Sequence, residues 1–343
     1  MSMKTATFLS FLFLSLISVI EADAQGTKGF VIKQVYYAGS NSKTAAGISD
    51  QFIEIYNNSN KTLYADGLYV SFITGSRIMP GTKLSKDGAA SVKDYAVRED
   101  GTFDWTQSYG MPDNIRANDD YIYASTVYRV PGNGTSHPVK AGESFVIAQS
   151  AKNYKEPFTR FNGQKVTPTQ PDSTVDLSHA DFEVNMLQVD ENARDHDNPD
   201  VVDMDIVRKD VRVDMLMDWN GKEAIVIYRY PGDINQLPTY TTPLKGKVES
   251  TNPVHLMFPF MQLPIKYVLD AVEIQPGDGT KGPKRLPESL DKGAAGTDVV
   301  TNSGRSVIRK TLKKQRGRII LQDTDNSSND FIGIKAEPKT FKN

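Results

Sequence analysis

Phe30-Val31-Ile32-Lys33-Gln34-Val35-Tyr36-Tyr37-Ala38-Gly39-Ser40 is followed after a short gap by Asp50-Gln51-Phe52-Ile53-Glu54-Ile55-Tyr56-Asn57-Asn58-Ser59. Near the other end stands Leu321-Gln322-Asp323-Thr324-Asp325-Asn326-Ser327-Ser328-Asn329-Asp330-Phe331. β-Branched and aromatic residues fill the apolar runs, and Gly, Asn, Asp and Ser stop them, which is the grammar of short strands that turn back on themselves. Read together, these stretches are the first and last strands of one β-sandwich.

Working outward, the same grammar recurs. Leu68 to Ile73 follows the turn-like Ala65-Asp66-Gly67, and Tyr121 to Val130 reads as one long strand that ends at Pro131-Gly132-Asn133-Gly134. Glu143–Ala148, Ala224–Tyr228, Tyr267–Ile274 and Arg318–Leu321 are further strands. Helical signals are poor, because no apolar face holds a period of about 3.6 residues without a Pro or Gly interrupting it. Val254 to Leu263 is apolar but is flanked or broken by Pro253, Pro259 and Pro264, and reads as a buried irregular segment or a single turn. The fold class is mainly β, with long loop insertions near 75–120 and 276–305. No internal repeat or low-complexity linker divides the chain, so residues 25–343 read as one elaborated domain.

Residues 1–24 have the layout of a secretory signal peptide: Lys4 in the n-region, the apolar run Phe8 to Ile20, and Ala22-Asp23-Ala24 as the cleavage site. The run is shorter than the roughly 20 residues of a membrane span, and no second apolar stretch approaches that length. The expectation is an exported protein of the periplasm or cell surface of a Gram-negative bacterium, and not an integral membrane protein. With 40 Lys and Arg against 42 Asp and Glu, the charge is balanced, which argues against nucleic acid as a partner. The chain has no cysteine, so its stability has to come from a core rather than from disulfides.

The opening strands, the segment Leu63-Tyr64-Ala65-Asp66-Gly67-Leu68, the strand Ala141 to Ala148, Asp270-Ala271-Val272-Glu273 and the closing Leu321–Phe331 resemble the lamin-tail domain. That resemblance implies an immunoglobulin-like β-sandwich. The chain more closely resembles an uncharacterised family of exported Bacteroidetes proteins, a domain of unknown function with lamin-tail-like character, over about residues 29–341. Gln34 stands where the lamin-tail pattern carries an acidic residue, and the insertions are far longer than in a nuclear lamin, so a nuclear role does not carry over.

Several stretches carry chemistry. Gly277-Asp278-Gly279-Thr280-Lys281-Gly282 matches a dinucleotide-binding pattern, but Pro283, Pro287 and Gly293 follow where a helix would have to begin, so it reads as a surface loop. Asp190 to Asp205 is rich in carboxylates, and Asp195, Asp197 and Asp200 are its candidate calcium ligands, since calcium takes 6–8 hard oxygens. A solvated, Asx-rich turn is the plainer explanation. Asp323 to Asp330 looks similar and reads better as a tight turn held by side-chain-to-backbone hydrogen bonds. His137, His179, His196 and His255 lack zinc-helix spacing; His179 with Asp181, or His196 between Asp195 and Asp197, are the candidate transition-metal sets, and turn or surface histidines are the ordinary explanation. Trp105 and Tyr109 lie in a polar loop and are candidates for stacking on a sugar; packing the insertion onto the sandwich is the competing role. The basic run from Arg305 to Arg318 reads as an exposed hairpin, either a charged edge that resists aggregation or a site for an anionic surface. No G-x-S-x-G elbow, phosphate-binding loop or cysteine nucleophile is present. The leading expectation is therefore a non-enzymatic binding or scaffolding protein with a protein or glycan partner. A carbohydrate-binding accessory of polysaccharide uptake and a metal-dependent hydrolase are the alternatives.

Overall fold

A computed structural model describes residues 29–75, 95–160, 162–193, 195–210, 214–243 and 258–342. The leader at 1–24, His255 and much of the 75–120 insertion lie outside the described residues. Among those described, the structure is mainly β, with one four-residue α-helix, Ser327–Asp330, and a few 3-10 turns. No helix among them is long and apolar enough to cross a membrane.

Twelve strands build the two larger sheets: β1 (Phe30–Tyr36), β2 (Phe52–Asn57), β3 (Tyr69–Ile73), β4 (Thr126–Arg129), β5 (Ser144–Ala148), β6 (Phe182–Glu183), β7 (Val202–Asp203), β8 (Asp205–Arg208), β9 (Ala224–Tyr228), β10 (Val268–Glu273), β11 (Arg305–Arg309) and β12 (Phe331–Lys335). One sheet runs β7-β6-β5-β2-β1-β11-β12 and the other β8-β4-β3-β9-β10. Both are antiparallel apart from β5-β6 and β6-β7. Ile32, Val35, Ile53, Ile55 and Val307 of the first sheet share one buried cluster with Val70, Phe72, Ile225, Ile227 and Val272 of the second.

The period of two along a strand sets what lies behind that core. In β9, Ile225 and Ile227 enter the shared cluster, while Ala224, Val226 and Tyr228 face a second one with Ile122, Met261 and Leu263. A three-stranded sheet of Thr239–Tyr240, Phe260–Pro264 and Tyr121–Ala124 contributes to that second cluster. Two expectations fall here. Phe260–Pro264 is a strand, because Met261 to Pro264 pair with Ala124 to Tyr121 and Pro264 sits at the strand end, where its missing donor costs least. The expected long strand 121–130 divides at Ser125, whose N–H and hydroxyl both turn to Phe72 O, at 2.9 and 3.0 Å.

In β1 strict alternation would send Gln34 into the core. A register shift between Ile32 and Gln34 absorbs one residue, so Ile32 and Val35 face inward on either side of it. Lys33 is carried to the other face, where Nζ meets Glu54 Oε1 at 2.8 Å with both side chains fully buried, and the Phe341 ring covers it at 3.8 Å.

The β1–β11 ladder holds at Gln34↔Ile308 and Val35↔Val307. Beyond it, Ile32 is satisfied by side chains: its N–H donates to Asp270 Oδ2 at 2.6 Å, and its carbonyl accepts from Arg309 Nε at 2.8 Å. Arg309 is 2% exposed and also reaches Asp270 (2.6 Å), Asp323 (3.2 Å), Asp330 (3.5 Å) and Gln322 O (3.1 Å), with Phe331 across its plane at 4.6 Å. The basic run is thus not one exposed hairpin. Arg305–Arg309 is a sheet strand, and only Thr311–Gln315 with Arg318–Leu321 projects as a hairpin. The closing turn behaves as expected and does more: Asp330 accepts from Thr324 N–H and hydroxyl, both at 2.8 Å, and Asn326 accepts from Ser328 N–H.

Arg309→Met removes the cation from three buried carboxylates. Breaking a buried pair of this kind costs about 3–5 kcal/mol, so the urea-unfolding midpoint should fall accordingly, and Arg309→Lys, which lacks the planar fork, should recover only part of the loss.

Candidate acidic site

The parallel pairing at one edge of the larger sheet creates the site. Glu183 ends β6 and Asp203 ends β7, and the register pairs them directly, so two carboxylates stand on neighbouring strands. The connection between the strands folds back over them and brings Asp197 in; one oxygen from each of Glu183, Asp197 and Asp203 lies within 4.8 Å of the others. Glu183 is fully buried and accepts the Ala151 N–H at 2.7 Å and the Asn198 N–H at 2.6 Å. Asp203 Oδ2 accepts from Asn185 Nδ2 at 3.3 Å, whereas Asp203 Oδ1 is buried without a hydrogen-bond partner among the described residues.

Beside this trio lies a second group. Asp195 accepts the Met186 N–H (2.7 Å), the His196 N–H (2.7 Å) and the Ser150 hydroxyl (3.2 Å). Asp214 accepts Gln149 Nε2 at 2.5 Å and the Met215 N–H at 2.6 Å. Asp195, His196, Asp214, Lys152 and Tyr154 help line a cavity of about 20 Å³, room for one water molecule.

Desolvation dominates the electrostatics. Burial pushes Glu183 up to about 7, with the charges of Asp203 and Asp197 adding to the shift. Burial also raises Asp195, Asp203 and Asp214, the last well above the usual carboxylate range with Asp195 contributing. Desolvation lowers Lys152 and His196, so the cations nearby do not cancel the crowding.

Of the three calcium candidates read from the sequence, Asp197 joins the trio, Asp195 sits in the adjoining group, and Asp200 stays outside on the surface, its N–H bonded to Asn198 Oδ1. Glu183 and Asp214 lie outside the acidic stretch. The one signal for Glu183 is a charge enclosed by Phe182 and Val184; Asp214 has none. Trp105 is 4% exposed and stacks on Tyr123 at 3.7 Å, with Phe260 edge-on at 5.6 Å and Phe103 at 6.3 Å. Its ring packs the insertion, while Tyr109 is half exposed. His137 packs on Phe182, His179 is exposed, and the Gly277–Gly282 stretch is a turn in which Asp278 accepts from Thr280.

Three outcomes follow. The native Glu183 holds a proton between pH 4.5 and about 7 that the unfolded chain has released, so its contribution, complete at the acidic end, is lost as the pH rises through that window. Asp203→Asn removes like-charge repulsion and should raise stability by about 1 kcal/mol at pH 8, with the gain shrinking toward pH 5 in thermal melts. Trp105→Ala should cost about 3–5 kcal/mol by emptying a packed aromatic site, read by denaturant titration.

Residues 140–338, more than half of the chain, match the family model described as a protein of unknown function (DUF4876). A crystal structure of a DUF4876 family protein from Bacteroides thetaiotaomicron VPI-5482 is similar, with a TM-score of 0.63 and 28% identity, covering 90% of this chain and 72% of that chain. Among curated proteins nothing matches this chain. The matched span contains the acidic site, Arg309 and the closing turn, and the chain belongs to the DUF4876 family.

Proposed function

We propose that the chain is an exported, non-enzymatic binding or scaffolding protein of the periplasm or cell surface of a Gram-negative bacterium. In this reading residues 25–343 form one immunoglobulin-like sandwich of lamin-tail-like character with long insertions. The leader pattern at 1–24 supports export, and the two sheets on a shared core support the architecture.

One observation carries the non-enzymatic reading: of the carboxylates at this edge with raised proton affinity, Glu183, Asp195 and Asp214 are committed to backbone amides. A general acid or base must present its reacting oxygen to a substrate. Glu183 instead holds Ala151 and Asn198, Asp195 holds Met186 and His196, and Asp214 holds Met215. These bonds fix the loops around the sheet edge, and the neighbouring cavity is the size of a water. The same geometry weighs against a metal-dependent hydrolase.

Calcium is the cation this edge would take. Glu183, Asp197 and Asp203 offer hard oxygens, each amide-bonded oxygen of Glu183 keeps a second lone pair, and Asp203 Oδ1 lacks a partner among the described residues. A bound ion would tie the crossover to the strands and so act as a structural part. For glycans, the packing of Trp105 between Tyr123 and Phe260 leaves its stacking role to exposed residues such as Tyr109.

Thermal melts with increasing calcium test this. Calcium at 100 times its dissociation constant should stabilise the protein by about 2.7 kcal/mol, more at pH 8 than at pH 6 because the ligands must be ionised. Asp197→Asn should abolish the response. Turnover of a polysaccharide or phosphoester that Asp197→Asn or Glu183→Gln eliminates would overturn the non-enzymatic reading.

A further inference from the structure

The projecting hairpin pairs Gln315 with Arg318, so its turn consists of Arg316 and Gly317 alone, at φ +52° and +79°. Two successive left-handed residues form the type I′ turn, which favours Asn-Gly or Asp-Gly. Gly317 meets no atom that a side chain would strike, but Arg316 holds a conformation that disfavours a long side chain. The two-residue turn imposes this conformation and carries the exposed Arg316 side chain at the tip of the arm.

The hairpin is fastened to the body at its base. Tyr56 Oη donates to Ile319 O at 2.6 Å, Asn58 exchanges two hydrogen bonds with Leu321 at 2.9 and 3.1 Å, and Arg318 donates to Asn58 O at 2.8 Å and to Ser59 O. Between this arm and the loop after β2 lies a cleft of about 750 Å³, within the range of pockets that hold small ligands or polymer segments. Lys61, Arg316 and Arg318 line it with Ser59, Asn60 and Gln315, and among the described residues no carboxylate does. Lys313 and Lys314 are exposed on the same arm, and none of Lys61, Lys313, Lys314 and Arg316 is matched in an ion pair among the described residues. This cationic concentration belongs to a chain of net charge −2, so it is local.

From this juxtaposition we infer that the cleft beside the Arg316 turn binds an acidic polysaccharide, the cations meeting its carboxylates and the amide and hydroxyl side chains its hydroxyls. The inference rests on reading the chain as a binding protein and supplies its ligand class. A polymer of charged, hydroxyl-rich units suits this lining better than a bilayer, since the tip of the arm from Lys313 to Arg318 offers no apolar side chain to enter one.

Binding of polygalacturonate to the purified protein tests this, with neutral dextran and anionic phospholipid vesicles as the other arms. Polygalacturonate should bind, more weakly as salt rises, and dextran should not. Arg316→Asn should lose roughly tenfold in affinity while its melting temperature stays level or rises, because Asn accepts the left-handed turn; Lys61→Gln should weaken binding without destabilising. Equal affinity for dextran, no binding of polygalacturonate, or unaltered affinity in both variants overturns the inference, as do vesicles that bind without competition from polygalacturonate. Shortening of the polymer during the titration would overturn the non-enzymatic reading and leave the ligand class supported.

Discussion

One buried guanidinium holds the two larger sheets in their relation to each other. Arg309 belongs to β11 of the larger sheet, Asp270 to β10 of the other, and Ile32 of β1 is bonded to both side chains. Where the β1–β11 ladder stops, backbone groups that water cannot reach still need partners, and this pair supplies them. Three carboxylates share the one cation, and burial pushes Asp270 up to about 7 despite Arg309, with Asp323 adding to the shift. Such networks add little net stability over apolar packing, yet a packing that separated the partners would leave a charge unpaired at a cost of several kcal/mol. Glu273 plays a related part further along β10: it takes the amides of Arg285 and Leu286, together with the Arg285 guanidinium at 2.6 Å, and so fastens the 276–305 insertion to the sheet.

The acidic site follows from topology. An antiparallel sheet whose edge is extended by two parallel strands needs a crossover between them, and the 184–201 connection is that crossover. Its return over the ends of β6 and β7 puts its own acids beside those of the strands. The resulting crowd is tolerated because the carboxylates take up loop amides and protons, which makes the edge sensitive to acidity.

Much of the architecture was legible. The strands at 30–36, 52–57, 224–228 and 268–273 stand where β-branched runs and their Gly, Asn and Asp stops placed them, and Asp323–Asp330 is the turn its composition suggested. The failures have physical causes. Pro264 ends a strand whose interior looked broken by prolines, and Ser125 redirects a run that looked continuous because its hydroxyl and amide both turn to one carbonyl of β3. The shift at Lys33 is invisible to a rule of alternation. Asp195 and Asp197 were legible as acids near a site; Glu183 and Asp214 were not, because parallel register and a long return loop bring them there. Arg309 sat in a basic run with nothing local to separate a buried cation from exposed ones.

The partners of Arg309 also bear on when the molecule becomes a molecule. Its bond to Ile32 spans 277 positions of the chain, and its other partners lie at Asp270, Asp323 and Asp330. Contacts so far apart are slow to find because the intervening loop must close before they reward it. β1 therefore waits, unsatisfied at Ile32, until Asp270 and Arg309 have both been made. A chain that stops before Arg309 leaves the Ile32 carbonyl without this partner, and one that stops before Asp270 leaves the amide without its own as well.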